Sequence, residues 1–570
     1  MYRFYNKIPG ILLVLLILGV FYQCGEDNQE RLVYTVSWYD NNGKPQLNIN
    51  LKFRANPTGI TRLRYDNEAW GEESLFNCIT NIKVADTSIV PEVNRDSGWI
   101  EIRHPRALDL INFQYSLVQD FDGEGGSKES YRPLIQTQYF HVFSHNMFVI
   151  PGHLMATAED FPDITINWAD FPENFKIHNS FGTGQAKQHL SRISIDEFHS
   201  AIFVGGDFRI YKEEIEGNAV YLASRGNWLP FDDREVMDVL AKTIRLQRDF
   251  WKDHSQDYFT VTLRPISQEE GSSFRGTGLT NSFAATISNN KHSDIELLVY
   301  LFNHELQHNW IGHTIENSNE EEEYWFSEGF TEYYAIKNIS KNQIQDLNGT
   351  YFITQLNGII SNLYSSPVKE APNSEINYDN FWSDRNYNKL PYYRGALFAF
   401  YLDHLIVRES LGKFSLDDVM HDLYQGAVQS DKKITLEYFV SVVNKYSDSD
   451  ITSLAEKHIV QGKILPLANL FKTIGLEYKS TSEIFDLGFE LSDDEKKVVA
   501  VDKHSAAYSS GLRAGDLLVA RSINFGNTSQ QVNLTVGRGS STKAIQYFPV
   551  KEAKVPQLVS SDSNIELLRF

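Results

Sequence analysis

Apolar and polar positions alternate without a break in "QLNINLKF": Leu47, Ile49, Leu51 and Phe53 fall on one side and polar residues on the other. That period of two is the mark of a half-buried strand. The turn cluster "DNNGKP" stands just before it, so residues 32–54 are expected to form a hairpin. "WIEIRH", "FQYSLVQDF", "YFHVF" and "DITINW" repeat the pattern and predict a β-sandwich-like domain over residues 30–190. Strands continue to about residue 225 in "SAIFVGGDFRIY" and "NAVYLAS". The period then changes. In "FDDREVMDVLAKTIRLQRDFWKD", Met237, Leu240, Ile244 and Trp251 recur at helical spacing. "YFTVTLRPI" is one more strand, and residues 292–470 read as largely helical, including "GALFAFYLDHLIVRESL" and "TLEYFVSVVNKY". Residues 475–560 return to short strands and turns, and no internal repeat is evident. The pattern is that of a multidomain α+β chain.

The 570 residues, 42% of them hydrophobic, suffice for three or four domains with cores of their own. A formal charge of −21 disfavours nucleic acid as a partner, and it also disfavours electrostatic binding to an anionic membrane. Attachment to a membrane must therefore be hydrophobic or covalent. The N-terminus offers both: Arg3 and Lys7 precede an apolar stretch from Ile8 to about Tyr22, and Cys24 follows at the boundary with "GEDNQE". This reads as an export signal, with Cys24 a candidate lipid acceptor; an uncleaved anchor would give the same topology. The expected location is a bacterial envelope, either the periplasm or the cell surface. The second cysteine is Cys78, so no disulfide framework and no cysteine-ligated metal are expected.

Candidate chemistry lies in "HSDIELLVYLFNHELQHNWIGH". Ser293 and Glu296 form an S-x-x-E start signal, and no Gly or Pro interrupts the next dozen residues. On such a helix His304 and His308 are about 40° apart and can reach one ion, with Glu305 beside them, as in H-E-x-x-H. "NEEEEYW" reads as a solvated acidic loop, after which Glu328 opens a second helix in "SEGFTEYYA". Glu328 supplies the third ligand of a His₂Glu set, which leaves one position open for water and is a standard catalytic zinc site. Glu332, one turn on, is placed to accept the other N–H of a liganding histidine.

HELQH followed by "WFSEGFTEYY" is similar to the gluzincin metallopeptidases, and above all to the glycyl aminopeptidase family. "LPYYRGALFAFYLDHLIVRES" resembles that family's Tyr-x-Lys/Arg-Gly helix, and "GKFSLDDVMHDLY" and "LANLFKTIGLEY" resemble its downstream part. After the signal or anchor segment read at 1–24, the resemblance implies an N-terminal β domain at 30–190, a thermolysin-like zinc peptidase domain at 191–472 and a PDZ-like domain at 473–570. It implies peptide hydrolysis with Glu305 as the base and Tyr392 as the oxyanion donor, and an active-site position for Tyr387. "HSAAYSSGLRAGDLLVA", with Gly511 and Gly515-Asp516, is similar to the PDZ pattern. "DLGFEL" upstream would then begin a groove that takes a peptide by strand addition.

One stretch departs from that family. Its Gly-Gly-Leu-Glu-His strand is implied to bind the substrate's amino group, and "GTGLTNSFA" stands in its place. Gly278 and Leu279 match as substrate-binding positions, but Thr280 replaces the glutamate and Asn281 the histidine. A hydroxyl cannot pair with an ammonium as a carboxylate can. Three readings follow: an aminopeptidase; an endopeptidase or a peptidase of unusual termini; and a surface peptide-binding protein without turnover.

Overall fold

The computed structural model describes residues 31–568 apart from 41, 127–128, 156–161, 269–270, 493–494 and 540. The expected leader and Cys24 lie outside the described residues. Among the described residues no helix is long and apolar enough to cross a membrane, and Cys78 is buried and unpaired.

The predicted hairpin forms from Arg31–Asp40 and Pro45–Arg54, in register from Asp40↔Pro45 to Val33↔Lys52. Its alternating apolar residues Leu47, Ile49, Leu51 and Phe53 are all buried. Leu110–Leu117 extends the sheet on one side and Asp163–Ala169 on the other, within six strands. A four-stranded sheet built around Ile60–Arg64 and Trp99–Arg103 shares the same apolar core. A third sheet joins Ile202–Gly206 to Tyr139–Phe143, so strand pairing carries the β-rich N-terminal part past residue 190.

The next sheet has five strands, in the order Arg209–Ile215, Asn218–Ser224, Tyr258–Ile266, Ser282–Ser288, Phe274–Leu279. Its inner pairs are parallel, and Phe274–Leu279 is an antiparallel edge. Helix α1 (Asp233–Trp251) packs on it through Val236, Met237, Leu240 and Ile244. Helix α2 (Ile295–Glu305) joins that core through Leu298, Val299, Leu301 and Phe302. From there to about residue 474 the chain is helical, as the spacing predicts; the longest elements are α3 (Glu320–Lys341) and α4 (Arg385–Glu409).

Two boundaries differ from expectation. The cap of α2 is Asp294, which accepts from the Leu297 amide at 3.3 Å, while the Ser293 hydroxyl bonds Ser288 instead. The acidic run is helix, not loop. Glu320, Glu321, Glu322 and Glu323 form the first turn of α3, where carboxylates favour the positive end of the helix dipole. Glu328 therefore sits in the interior of α3, eight positions after its start.

The last section is small and β-rich, with Leu517–Ser522, Val532–Arg538 and Ser541–Tyr547 paired around Val498, Leu512, Leu534, Val536 and Ile545. The helix Ala506–Ser509 ends at Gly511, whose φ of 100° suits a left-handed terminus. The section is tied to the helical part by reciprocal bonds between the Asn357 side chain and the Leu558 backbone.

Candidate metal centre and active site

His304 and Glu305 close α2, and the chain then tightens into a 3₁₀ turn, Leu306–Asn309, that carries His308. The expected uninterrupted α-helix is thus corrected: His308 stands on the tighter turn. The rings still converge, with centroids 5.1 Å apart. α3 lies across them and presents Glu328. Nε2 of His304 and Nε2 of His308 are each 3.6 Å from the same Glu328 Oε2. Among the described residues these three are the group of His, Cys, Asp or Glu whose donor atoms all lie within 4.8 Å of one another.

The outer nitrogens are already committed. His304 Nδ1 is 3.1 Å from Glu332 Oε2, and His308 Nδ1 is 3.0 Å from the Ile311 carbonyl oxygen. Both partners are acceptors, so each Nδ1 carries a hydrogen, and in the neutral ring it is the lone pair of Nε2 that turns inward. Two lone pairs and a carboxylate oxygen then face one point. That Glu328 oxygen is buried without a hydrogen-bond partner. Such an arrangement is repulsive unless a cation lies between the donors. Tetrahedral zinc, with bonds of about 2.0–2.1 Å, spaces its donors by about 3.3–3.4 Å, close to what is seen. The donor set fits zinc.

The local field has the same sign. Burial would lower the His304 pKa, but Glu328 and Glu332 outweigh it and raise it. Burial would raise the Glu328 pKa, but His304, His308 and the Tyr392 hydroxyl hold it down. A position that favours a proton this strongly favours a divalent ion as well.

Glu332 also accepts from the Tyr300 hydroxyl at 2.6 Å. Tyr300 was not singled out from the sequence, although it precedes His304 by one helical turn and shares its face. Tyr392, on α4, lies nearly parallel to the His304 ring at 5.8 Å. Its hydroxyl pKa is raised by burial and by Glu328. The Glu305 side chain makes no hydrogen bond among the described residues and is half-buried. Tyr387 is also on α4, but its hydroxyl reaches Glu375 at 3.2 Å rather than the histidines.

Gly278 and Leu279 end the edge strand Phe274–Leu279, and a Cβ at Gly278 would meet open space. Thr280 and Asn281 form the turn back into Ser282–Ser288, with Asn281 at a φ of 51°. The Thr280 amide donates to the Ser200 carbonyl and its hydroxyl to the Glu197 carbonyl, both at 2.7 Å. The hydroxyl is therefore occupied by the N-terminal part of the chain. From that same part Tyr131 lines a small cavity together with Arg275 and Gly276 of the edge strand.

Residues 277–458 match the family model described as Peptidase family M1 domain. Aminopeptidase B of Rattus norvegicus is 30% identical over 158 residues, 26% of this chain and 23% of that protein. Aminopeptidase B of Homo sapiens is 28% identical over 157 residues, 25% and 23% of the two chains. The match thus takes in under a quarter of the relatives' own length. The crystal structure of an aminopeptidase N family protein from Idiomarina loihiensis shares the fold, with a TM-score of 0.70 at 15% identity, over 95% of this chain and 100% of that one. The matched stretch is similar to a peptidase domain and contains His304, His308 and Glu328, the donor set that fits the expected zinc.

Proposed function

We propose that the chain is an exported zinc-dependent peptidase, akin to the glycyl aminopeptidases, that hydrolyses peptide bonds next to a free amino terminus. One observation carries this reading: two imidazole Nε2 atoms face a single, otherwise unbonded Glu328 oxygen, with both outer nitrogens committed elsewhere. His304, His308 and Glu328 would hold the ion. Zinc bound there supplies a Lewis acid that polarises a carbonyl oxygen and makes water more acidic. Glu305 takes the proton of the attacking water and passes it to the leaving amine, help typically worth ~10²–10⁴-fold. The Tyr392 hydroxyl donates to the developing oxyanion, and losing one such donor costs ~10²–10³ in rate. Glu332 fixes the tautomer of His304, and Tyr300 fixes Glu332.

The test is metal analysis with peptide cleavage. Wild-type protein should hold one zinc and lose activity to a chelator, while Glu305→Gln should keep the zinc and lose turnover. Zinc-free protein that refuses the ion would end the proposal, and zinc-loaded protein that cleaves nothing would leave the peptide-binding alternative.

A second reading is supported by Thr280. Its hydroxyl is spent on Glu197, and Arg275 rather than a carboxylate lies on the edge strand beside Tyr131. Nothing on that strand would hold an ammonium, which favours internal bonds or blocked termini. Peptides with free and acetylated amino termini, compared by mass spectrometry, separate the two: cleavage of the acetylated peptide rules out strict aminopeptidase action.

For the C-terminal section the proposal is a PDZ-like module over 473–570. Support comes from Gly488 at a φ of 69° before the strand Phe489–Leu491, and from the short helix that ends at Gly511. Export with lipidation at Cys24 would be seen as membrane-fraction protein that becomes soluble in Cys24→Ala; unchanged partition would discard it.

A further inference from the structure

A cavity of about 440 Å³ opens beside Glu332 and Tyr392, on the face of the site that carries none of the edge strand. Its wall includes Lys389, Tyr393, Tyr351, Gln355 and Asn362. A second cavity, of about 1530 Å³, shares Asn362, Lys389 and Tyr393 with the first and runs to Leu487 and Phe489 of the C-terminal section. Lys389 therefore stands where the two meet.

The Lys389 ammonium lies 4.0 Å from the centre of the Tyr392 ring. Among the described residues it has no carboxylate within ion-pair distance and no hydrogen-bond acceptor. Lys389 is partly buried, and the fully buried Lys337 is treated differently. Lys337 is held by Asp403 and by Asp417, both at 2.8 Å. The carboxylates that act most on Lys389 are Glu328, Glu332 and Glu305, and the first two are already engaged around the histidines. Partial burial lowers the Lys389 pKa. Three carboxylates line the cavity: Glu332 is engaged by His304 and Tyr300, Asp294 caps α2, and Glu296 lies in the first turn of α2, where the helix dipole offsets its charge.

A partly buried ammonium that rests on the Tyr392 ring and has no counter-anion of its own can take a ligand anion in a charge-assisted bond. Lys389 and Tyr392 are three positions apart on one helix face, so an anion at Lys389 is within a residue or two of a bond held at Tyr392. In a chain of net charge −21, an anionic substrate group needs such a local cation. We infer that Lys389 is a specificity-determining residue, and that its ammonium receives a substrate carboxylate close to the scissile bond. The carboxylate is either the free C-terminus of a short peptide or an acidic side chain. The assignment rests on the peptidase reading above, which sets the position of the scissile bond.

The test uses zinc-loaded full-length protein with Leu-Ala-Ala, its C-terminal amide, and the amides of Leu-Ala-Glu and Leu-Ala-Gln. Wild type should cleave Leu-Ala-Ala with a KM about tenfold or more below that of its amide, as a charge-assisted bond implies. A Glu-over-Gln preference in the amidated pair would assign the subsite to side chains instead. Lys389→Met should erase whichever preference is found, with a larger loss on the charged than on the uncharged peptide, and Lys389→Arg should keep it. Equal losses on charged and uncharged peptides in Lys389→Met would mean that the lysine acts through Tyr392, and would overturn the subsite. So would wild type that shows neither preference, a result that needs no folded variant. Calorimetric binding of Ala-Ala and of Ala-Ala amide gives a readout free of turnover. Tighter binding of the acid that is lost in Lys389→Met upholds the subsite even if no peptide is cleaved, whereas equal binding of the two overturns it.

Discussion

Gly329 and Gly395 meet backbone to backbone where α3 crosses α4. A Cβ added at Gly395 would lie 1.9 Å from the Trp325 carbonyl oxygen, and one added at Gly329 would lie 2.4 Å from the Gly395 Cα. Only glycine permits this approach. The crossing sets Glu328, the neighbour of Gly329, against Tyr392, one turn before Gly395. Gly395→Ala must push the helices apart at backbone that cannot yield, at a cost of about 1–3 kcal/mol or more. The expected result is a lower Tm together with reduced zinc content, since Glu328 moves with its helix. Full zinc occupancy at an unchanged Tm would show that the crossing does not set the site.

Glu332 accepts from both Tyr300 and His304, so its effect on the metal is indirect. Glu332→Gln keeps the shape but weakens the acceptor that holds His304 in its tautomer. Zinc affinity, measured by competition with a chromogenic chelator, should fall ~10–100-fold. Tyr300→Phe should fall less, because the His304 bond survives. An unchanged affinity in Glu332→Gln would remove Glu332 from the account.

The metal set was legible because its information is local. His304, Glu305 and His308 declare themselves by spacing, and Glu332 by its single turn from Glu328. The strand–helix order and the buried face of residues 47–53 were legible for the same reason. What the sequence hid was mostly long-range or a matter of competition between signals. The start of α3 was obscured because four consecutive glutamates look solvated, whereas at a helix N-terminus they are stabilised by the dipole. Ser293 and Asp294 are both good caps, and the choice fell to Asp294 because Ser288 takes the Ser293 hydroxyl. Lys389 sits in a helix whose pattern does not mark it, being defined by the absence of a counter-anion, and Gly395 is marked by the Tyr-x-Arg-Gly stretch but owes its role to a backbone contact 66 positions away in sequence.

Thr280 tests how far the edge strand acts on substrate. Its hydroxyl donates to the Glu197 carbonyl, which makes it a clamp between the N-terminal part and the hairpin turn. Thr280→Val should cost about 1 kcal/mol of stability, seen as a small fall in the denaturant midpoint. KM and kcat for short peptides should stay at wild-type values. A marked rise in KM would instead give Thr280 a direct contact with substrate.

Lys337 lies between Asp403 and Asp417, with the Tyr333 hydroxyl and the Leu416 amide also donating to Asp403. Burial would raise the Asp403 pKa, but Lys337, His404 and the Tyr333 hydroxyl hold it at about 2, below the ordinary 3.8. A depressed carboxylate contributes its full stability above its unfolded value and loses it as pH falls from about 3.8 toward about 2. The lysine, raised by the same partners despite its burial, contributes below its unfolded value of 10.5 and loses that only in strong alkali. At neutral pH both contributions are present. Lys337→Met leaves Asp403 buried without its cation and should cost ~3–5 kcal/mol. In the variant the Asp403 pKa moves upward, so acid neutralises the orphaned carboxylate and relieves part of the loss. The Tm gap between wild type and variant should therefore be widest near pH 7 and should narrow as pH falls through the acid range. A gap that stays constant from pH 7 to the acid limit of folding would mean that the lost stability is packing around the lysine stem rather than charge.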